Sequence, residues 1–300
     1  MNDLQKEPKV SVVILNFNRP EHTVACVHSV LESTYANLEI IVVDNCSEIL
    51  SFGLLKKKIE ALDVRLIQAE HNLGYSGGNN VGILHSTGKY ILLLNDDVTI
   101  DNKLIHGLVD IAEKNDTVGI IGPATYCYGS NKLWFYPPEI LKTNSTVVDV
   151  PIVVGAALMI KRAVIERVGL LDENYFMYHE EWDWCARVRD QGYRTVCAPR
   201  LRVWHKVQEQ GTSYSPTWAY YFHRNFFLLA ARHCRTTREA TGFLFRHLVW
   251  YEKKKVPIFY PLIALRNEKA QAVKAYFAAM KDGVVLFLKL AYTGERRGNC

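Results

Sequence analysis

The sequence predicts an α/β domain with a mostly parallel sheet flanked by helices, followed by a helical C-terminal region. Three observations support this prediction: apolar runs alternate with helical patterns through the first 120 residues, polar residues follow several of those runs, and the chain beyond residue 215 is aromatic-rich and basic. Nearly continuous apolar runs are typical of strands that helices cover on both faces. With 49% hydrophobic residues, the 300-residue chain can build a packed core, which excludes a disordered protein.

Five apolar runs predict the first strands, and four helical patterns lie between them. The predicted strands are residues 10–15, 38–43, 64–68, 90–94 and 118–121. The predicted helices are residues 20–33, 49–62, 77–86 and 102–114, and Pro20 suits a first helical position. Right-handed crossovers bring the loops after each strand to one edge of the sheet, where open α/β folds bind ligands.

The remainder of the predicted core is less regular. Residues 122–150 are rich in turn-forming Gly and Pro pairs, so we expect a loop or hairpin excursion there. A strand at 152–160, a helix at 180–191 and two short strands at 194–197 and 201–204 are expected to follow. The change in composition predicts a core domain at 1–215 and a basic, aromatic-rich helical region at 216–300.

Charge and cysteine content indicate the kind of partner and the cellular compartment. Residues 1–199 carry 18 Lys and Arg against 25 Asp and Glu, whereas residues 200–300 carry 18 against 6. A basic region on an acidic body predicts an anionic partner, which could be lipid, membrane surface or nucleic acid. The seven cysteines form no Cys-x-x-Cys pair, which favours a reducing cytoplasm. We expect no transmembrane segment, since the apolar runs are shorter than roughly 20 residues, and no signal peptide.

Polar residues follow the predicted strands at the edge where an α/β protein keeps its site. They are Asn16 and Asn18 after the first strand, Asp44 and Asn45 after the second, and Asn95, Asp96 and Asp97 after the fourth. Carboxylates placed directly after apolar strands would project into one crevice. For Asp44 the alternative is a cap for the following helix.

The pair Asp96 and Asp97 is the strongest of these signals. Adjacent acids at the rim of a buried strand repel one another, and a divalent cation between them relieves that repulsion. Mg²⁺ or Mn²⁺ prefers carboxylate oxygens together with substrate phosphates. The pair therefore predicts a metal site, with a helix cap before Asn102 as the alternative.

A glycine-rich segment at residues 72–80 follows the third predicted strand. Gly74, Gly77 and Gly78 would let backbone amides approach an anion closely, and the next helix offers its positive end. The segment lacks the Gly-Lys-Ser/Thr ending of a Walker A loop and the glycine spacing of a dinucleotide-binding loop. A tight turn without a ligand is the alternative.

A second acidic cluster, Glu180, Glu181 and Asp183, opens the helix predicted at 180–191. The helix dipole favours acids in a first turn, so a well-capped helix start is one interpretation. The aromatic residues around the cluster favour another, because partial desolvation raises the pKa of a carboxyl and makes it a better base. His205 ends the last predicted strand and is either a packing residue or a site residue.

Seven segments, taken in order, resemble the family 2 inverting glycosyltransferases of the GT-A fold, especially their rhamnosyltransferase-like branch. They are residues 12–18 (VVILNFN), 41–47 (IVVDNCS), 72–80 (NLGYSGGNN), 93–97 (LLNDD), 155–160 (GAALMI), 180–183 (EEWD) and 203–205 (VWH). The resemblance spans about residues 9–230, and the ordered set is far more specific than any one segment.

The resemblance implies a role for each candidate residue. The implied nucleotide and diphosphate contacts are Asn16, Asn18, Asp44, Asn45, Asn72, Gly74, Tyr75, Gly77, Gly78 and Asn79. The implied metal ligands are Asp97 and His205, with Asn95 and Asp96 beside them. The implied catalytic base is Glu181, supported by Glu180 and Asp183. Because the family usually has Asp where Glu181 stands, it stays open which of these three acids takes the proton.

The resemblance also implies a reaction. The enzyme would use Mg²⁺ or Mn²⁺ to move a sugar, with rhamnose expected, from a nucleoside-diphosphate sugar to a hydroxyl of a cell-surface glycan or lipid-linked acceptor. The cation would neutralise the leaving diphosphate, and the carboxylate would remove the acceptor proton. A single in-line displacement would invert the anomeric carbon.

The aromatic and basic side chains of residues 216–300 suit a helix lying on an anionic bilayer. We therefore expect peripheral contact with the inner face of the cell membrane, and packing against the catalytic domain is the alternative.

Other functions are less consistent with the sequence. A nucleotidyltransferase would show a basic glycine-rich loop near the N-terminus, which is missing here. A nucleic-acid-binding module would use the basic tail but leaves the acidic edge unexplained, so no nucleic acid is expected as a partner. A sugar-binding homologue without activity is disfavoured because both acidic clusters are present.

Overall fold

The structure, a computed structural model, describes residues 7–206, 215–254 and 268–293. The chain forms two compact units. The sheet unit contains Met1–Glu173 and Trp184–Glu209, and the helical unit contains Asn174–Asp183 and Gln210–Cys300. The short segment Asn174–Asp183 thus groups with the C-terminal residues, and the predicted boundary near residue 215 stays a prediction.

The described part of the sheet unit contains one nine-stranded mixed sheet. In chain order its strands are β1 (Val10–Asn16), β2 (Leu38–Asp44), β3 (Arg65–Gln68), β4 (Tyr90–Asn95), β5 (Val98–Ile100), β6 (Val118–Cys127), β7 (Val148–Asp149), β8 (Ala157–Lys161) and β9 (Arg194–His205). The spatial order is β3-β2-β1-β4-β8-β6-β9-β5, and β7 pairs with β9. Strands β3, β2, β1 and β4 are parallel, whereas β8 runs antiparallel between β4 and β6.

Helices connect these strands and form most of the helical unit. They are α1 (Pro20–Leu31), α2 (Ile49–Ile59), α3 (Gly74–His85), α4 (Leu104–Lys114), α5 (Arg162–Val168), α6 (Glu180–Asp190), α7 (Pro216–His233), α8 (Thr237–Lys254) and α9 (Glu268–Thr293). The first five predicted strands and the four helices between them are all present, with ends that shift by a few residues. The prediction of an α/β fold with a helical C-terminal appendage is confirmed.

The core lies on both faces of the central parallel strands. Val12, Ile14, Val42 and Leu92 have no exposed surface, as the apolar runs predict for strands covered on both sides. Helix α3 packs directly on β1, since a Cβ added at Gly82 would lie 2.3 Å from Val13 Cγ1. The similar approach of Gly78 to Leu15 holds the first half of α3 beside the carboxyl end of β1.

The structure corrects the prediction for residues 122–150 and for the strands around them. Strand β6 continues through Pro123 to Cys127, and β9 is one strand where two were expected. The pairing of β6 with β9 shifts after Pro123, and a proline costs least where the ladder is already broken. Strand β8 starts at Ala157 and not at residue 152, and the short β5 and α5 were absent from the prediction.

The helical unit packs α7 and α9 around a small apolar cluster. Tyr175, Leu228, Leu229 and Leu290 are buried in it. A Cβ at Gly283 would lie 2.4 Å from Phe227 Cδ2, so the two helices approach closely at this glycine. Among the described residues, no helix is both long and apolar enough to cross a bilayer.

Candidate active site

Strand register brings the predicted polar residues of the sheet unit together. Asn16 at the end of β1 lies opposite Asp44 on β2, and Leu15 lies opposite Asn95 on β4. The carboxyl ends of three neighbouring strands therefore share one edge, as the strand-end pattern predicts.

Asn16 and Asp44 form a fully buried pair. Asn16 Nδ2 donates to Asp44 Oδ2 at 2.6 Å, and the Ser47 backbone N–H donates to Asp44 Oδ1 at 3.0 Å. Both carboxylate oxygens thus accept hydrogen bonds from the protein, and they hold the loop after β2 in place. Helix α2 begins at Ile49 with Glu48 as its cap residue, so Asp44 does not cap it. Its contact with a nucleotide stays a prediction.

Asn45 fastens the loop after β2 to the start of α3. Its Nδ2 donates to Asn72 Oδ1 and to the Gly74 carbonyl, both at 2.9 Å, and its Oδ1 accepts from the Leu73 N–H at 2.9 Å. Asn18 connects to the same loop because its Oδ1 accepts from the Glu48 N–H at 2.8 Å. These hydrogen bonds hold both asparagines in place at the carboxyl edge of the sheet.

Gly74, Gly77 and Gly78 all lie in helix α3, which begins three residues before the predicted start at residue 77, and their contact with a diphosphate stays a prediction. Helix α3 starts at Gly74, whose φ of 70° is a left-handed value. A Cβ at Gly78 would lie 2.4 Å from Leu15 Cδ1, and one at Gly77 would lie 2.8 Å from Leu73 Cβ. Gly77 and Gly78 are therefore needed for packing, and a phosphate contact is not required to explain them.

Tyr75 and Asn79 lie in the first turns of the same helix. The Tyr75 hydroxyl donates to the Gly155 carbonyl at 2.7 Å, which joins α3 to the segment before β8. Asn79 Nδ2 donates to the Tyr75 carbonyl at 2.9 Å. Asn79 Oδ1 is buried and has no hydrogen-bond partner among the residues that the structure describes. Of the residues in this segment, Asn79 thus has an unused acceptor.

Asp96 and Asp97 form the tight turn between β4 and β5, where two basic side chains meet them. Arg19 Nη1 lies 3.1 Å from Asp96 Oδ1, and Arg19 Nη2 lies 3.0 Å from Asp97 Oδ2. His205 Nε2 lies 2.8 Å from Asp97 Oδ1, because β5 and β9 pair at Val98 and His205. The structure therefore brings together Asp97 and His205, as predicted, and adds Arg19.

The two aspartates differ in charge state. Burial raises the pKa of Asp96 to about 7, although Arg19 opposes that shift. Burial also acts on Asp97, but His205 and Arg19 outweigh it and lower the pKa of that carboxyl to about 2. Asp97 is consequently ionised at neutral pH, as a carboxyl group that binds a metal ion must be.

The donor atoms around Asp97 fit a divalent cation. Asn95 Oδ1 and His205 Nδ1 are buried and have no hydrogen-bond partner within the described ranges. Carboxylate, amide oxygen and imidazole are all donors that Mn²⁺ accepts. No three His, Cys, Asp or Glu side chains of the described residues converge as a metal cluster, so a cation here would take further ligands from phosphates and water.

Glu180, Glu181 and Asp183 belong to the first turn of α6, in the helical unit. Burial raises the pKa of Glu180 well above its ordinary range, and Glu181 adds to that shift. Burial also raises the pKa of Glu181 to about 7, where a hydrogen bond from Glu180 partly offsets it. The two carboxyls therefore titrate as a coupled pair, in which burial favours the protonated form. His233 Nε2 lies 2.8 Å from Asp183 Oδ1, which leaves Asp183 paired.

The backbone before this acidic turn is strained. Phe176, Tyr178 and His179 have φ values of 60°, 68° and 74°. A side chain with a Cβ costs about 1–2 kcal/mol in this left-handed region. Such clustering of strain is common at functional sites, provided that the surroundings hold it in place.

Comparison with known proteins decides the family. The profile described as "Glycosyl transferase family 2" matches residues 11–169, more than half of the chain. The chain belongs to glycosyl transferase family 2. It is therefore a glycosyltransferase, an enzyme that transfers a sugar from a nucleotide sugar. Among the functions left open by the sequence, family membership favours this one over a nucleotidyltransferase or a nucleic-acid-binding module.

Named relatives of this glycosyltransferase cover most of its length. It is 26% identical over 241 residues to the low-salt glycan biosynthesis hexosyltransferase Agl10 of Haloferax volcanii, covering 73% of this chain and 74% of the relative. It is 24% identical over 274 residues to the dTDP-rhamnosyl transferase RfbF of Shigella flexneri, covering 83% and 86%.

Solved structures confirm the GT-A fold of the glycosyltransferase. The mannosyltransferase PcManGT of Pyrobaculum calidifontis, in complex with GDP-Man and Mn²⁺, is similar with a TM-score of 0.59 and 19% identity. The match covers 98% of this chain and 81% of that one.

Two residues of the glycosyltransferase were missed by sequence reasoning. Arg19 contacts both aspartates of the β4–β5 turn, and Asn225 contacts the strained segment before Glu180. A basic residue at the edge where acids collect is a signal that could have revealed Arg19. Asn225 lies 44 positions beyond Glu181, and no local pattern connects the two.

Proposed function

We propose that this glycosyltransferase is a metal-dependent inverting enzyme that transfers a sugar to a hydroxyl of a cell-surface glycan or lipid-linked saccharide. The supporting observation is the permanently ionised Asp97, paired with His205 at the carboxyl edge of the sheet. Asn95 Oδ1 and His205 Nδ1 are buried and have no hydrogen-bond partner among the described residues. An ionised carboxylate beside unused acceptors at a ligand-binding edge is a donor set that supports a bound cation.

Residues of the sheet unit would bind the donor. The proposed nucleotide and diphosphate contacts are Asn16, Asn18, Asp44, Asn45, Asn72, Gly74, Tyr75, Gly77, Gly78 and Asn79. Asp97, His205 and Asn95 would hold Mg²⁺ or Mn²⁺, with Asp96 beside them. A cation bound there would neutralise the charge that develops on the leaving diphosphate.

Glu181 would act as the base, and Glu180 and Asp183 would support it. The acceptor oxygen attacks the anomeric carbon as its proton passes to a Glu181 carboxylate oxygen. The bond from that carbon to the diphosphate oxygen breaks on the opposite face, and the electron pair leaves with the diphosphate. One displacement therefore inverts the anomeric configuration, and Glu180 stays protonated as the hydrogen-bond donor to its neighbour.

The proposed donor is a deoxythymidine-diphosphate-linked rhamnose, followed by a uridine-diphosphate hexose. The relative of Shigella flexneri that covers most of the chain is named a dTDP-rhamnosyl transferase, and the relative of Haloferax volcanii is named a hexosyltransferase. These names support a six-carbon sugar donor for this chain.

A panel of sugar nucleotides with Mg²⁺ or Mn²⁺ tests the proposed function. We expect release of nucleoside diphosphate from one donor, loss of that release on adding a chelator, and an inverted anomeric centre by NMR. Asp97→Ala and Glu181→Gln should both lose activity. Native turnover in both variants would remove the proposed mechanism.

We further propose that α9 contacts an anionic membrane at the inner face of the cell membrane. Phe277, Val285 and Leu288 are 56%, 58% and 50% exposed, and the exposed Lys274 and Lys281 lie along the same helix. Apolar groups flanked by lysines suit a bilayer surface with acidic headgroups. The lysine run that ends at Lys255 belongs to the same prediction, but Lys255 lies outside the described residues.

Vesicle co-sedimentation tests this membrane contact. The native chain should bind phosphatidylglycerol-containing vesicles and not phosphatidylcholine vesicles. Val285→Ser with Leu288→Ser should weaken binding, whereas Leu84→Ser, at an exposed position of the sheet unit, should not. Equal binding of all three proteins would contradict the proposal.

A further inference from the structure

One face of α7 holds the strained segment that leads into the acidic turn. The Asn225 side chain is fully buried, and its Nδ2 lies 2.8 Å from the Tyr175 carbonyl, 2.8 Å from the Met177 carbonyl and 2.7 Å from the Tyr178 carbonyl. The two N–H groups of a single amide therefore contact three backbone acceptors of one short segment, with one hydrogen shared between two carbonyls. All of these residues lie within the helical unit.

Two further side-chain contacts join α7 to the same segment. His179 Nε2 donates to the Phe222 carbonyl at 3.1 Å, and burial lowers the pKa of His179 to about 3, so this ring is neutral. His233 Nε2 lies 2.8 Å from Asp183 Oδ1, and the Asp183 backbone N–H donates to the His179 carbonyl at 3.0 Å. Positions 222, 225 and 233 lie on one face of the helix, so a single element makes all the contacts.

Nothing in the sequence of residues 176–179 favours the left-handed backbone conformation that the contacts with α7 hold in place. Phe176, Tyr178 and His179 adopt left-handed φ values without a glycine among them. Such residues persist there only when surrounding groups over-determine the conformation. The carbonyl contacts of Asn225 restrain this segment at residues 175, 177 and 178.

We propose that Asn225 is a positioning residue for Glu181, because it holds the preceding backbone in its left-handed form and so fixes where the carboxylate stands. This proposal rests on the proposed role of Glu181 as the base. Asn225 itself touches no reacting atom. The helical appendage then has a catalytic purpose that is independent of any membrane contact.

A double-mutant cycle in the full-length protein tests the proposal. Asn225→Asp keeps the shape of the side chain but places carboxylate oxygens against three carbonyls. We expect kcat to fall by up to about 100-fold, the loss that a misplacement near 1 Å can cause, while the donor KM stays within about twofold. Combined with Glu181→Gln, it should cause almost no further loss, because Asn225 acts through Glu181.

Leu290→Ala is the matched control, since Leu290 is buried in the same unit but belongs to α9. The fold-loss in kcat caused by Leu290→Ala should multiply with the fold-loss caused by Glu181→Gln. If Asn225→Asp does not fold, Asn225→Ser takes its place, because one hydroxyl can donate to only one of the three carbonyls. Multiplicative losses for the Asn225 and Glu181 variants would overturn the proposal. Full activity of Glu181→Gln by itself would instead overturn the proposed function.

Discussion

Among the described residues of the glycosyltransferase, two acidic pairs, Asp96–Asp97 and Glu180–Glu181, each contain a candidate functional carboxyl, and the surroundings of Asp97 and Glu181 shift their pKa values in opposite directions. In the sheet unit, Arg19 and His205 hold the pKa of Asp97 at about 2, so that carboxylate carries a permanent charge. In the helical unit, burial raises the pKa of Glu181 to about 7, so that carboxyl can exchange a proton near neutral pH. Two carboxyl groups thus suit different chemistry: Asp97 is suited to bind a cation, and Glu181 is suited to accept a proton.

The largest expected effect separates these two roles. Asp97→Asn and Glu181→Gln should each lower kcat/KM by about 10²- to 10⁴-fold. Raising the Mn²⁺ concentration should partly restore Asp97→Asn, because the remaining ligands still bind weakly. It should leave Glu181→Gln unchanged. Restoration of both variants, measured by nucleoside diphosphate release, would contradict the division of roles.

The pH dependence gives the next largest effect. Glu181 must be ionised to accept a proton, so kcat should fall about tenfold for each pH unit below 7 and level off above it. Asp97 stays ionised across this range and adds no slope. If ionisation of Glu181 causes the fall of kcat below pH 7, Asp96→Asn should show the same fall. A flat profile between pH 5 and 7 would show that no base with a raised pKa is at work.

A smaller effect is expected from Arg19, which contacts the pair Asp96 and Asp97. Removing its charge by Arg19→Met should tighten Mn²⁺ binding in the absence of donor by about two- to fivefold, since the partly exposed guanidinium competes for the two carboxylates. Isothermal titration with Mn²⁺ measures this change directly. Arg19→Lys retains the charge and should bind as the native chain does. Weaker binding in Arg19→Met would mean that the guanidinium helps to hold the cation site.

The smallest effect concerns Glu180. Because Glu180 is the protonated member of its pair, Glu180→Gln keeps a neutral hydrogen-bond donor beside Glu181. We expect kcat to stay within about fivefold of the native value. A loss as large as that of Glu181→Gln would identify Glu180 as the base and reverse the assignment within the pair.

Much of the fold follows from local pattern in the sequence. The apolar runs ending at Asn16, Asp44 and Asn95 predict parallel buried strands, and their ends predict the edge where Asp97 lies. Such features depend on residues close together in the chain, where hydrophobic periodicity is informative. The strand through Pro123 was missed because only its pairing partner, with a shifted register, makes that proline tolerable.

The α/β architecture, the acidic strand end and the acidic helix start could all be predicted from the sequence, because each depends on residue types at short spacing. The packing role of Gly77 and Gly78, the pairing of Arg19 and His205 with Asp97, and the contact of Asn225 with the segment before Glu180 became visible in the folded chain. These outcomes arise between residues far apart in the chain. Desolvation, charge pairing and close packing act through space, and no local pattern in a single sequence records them.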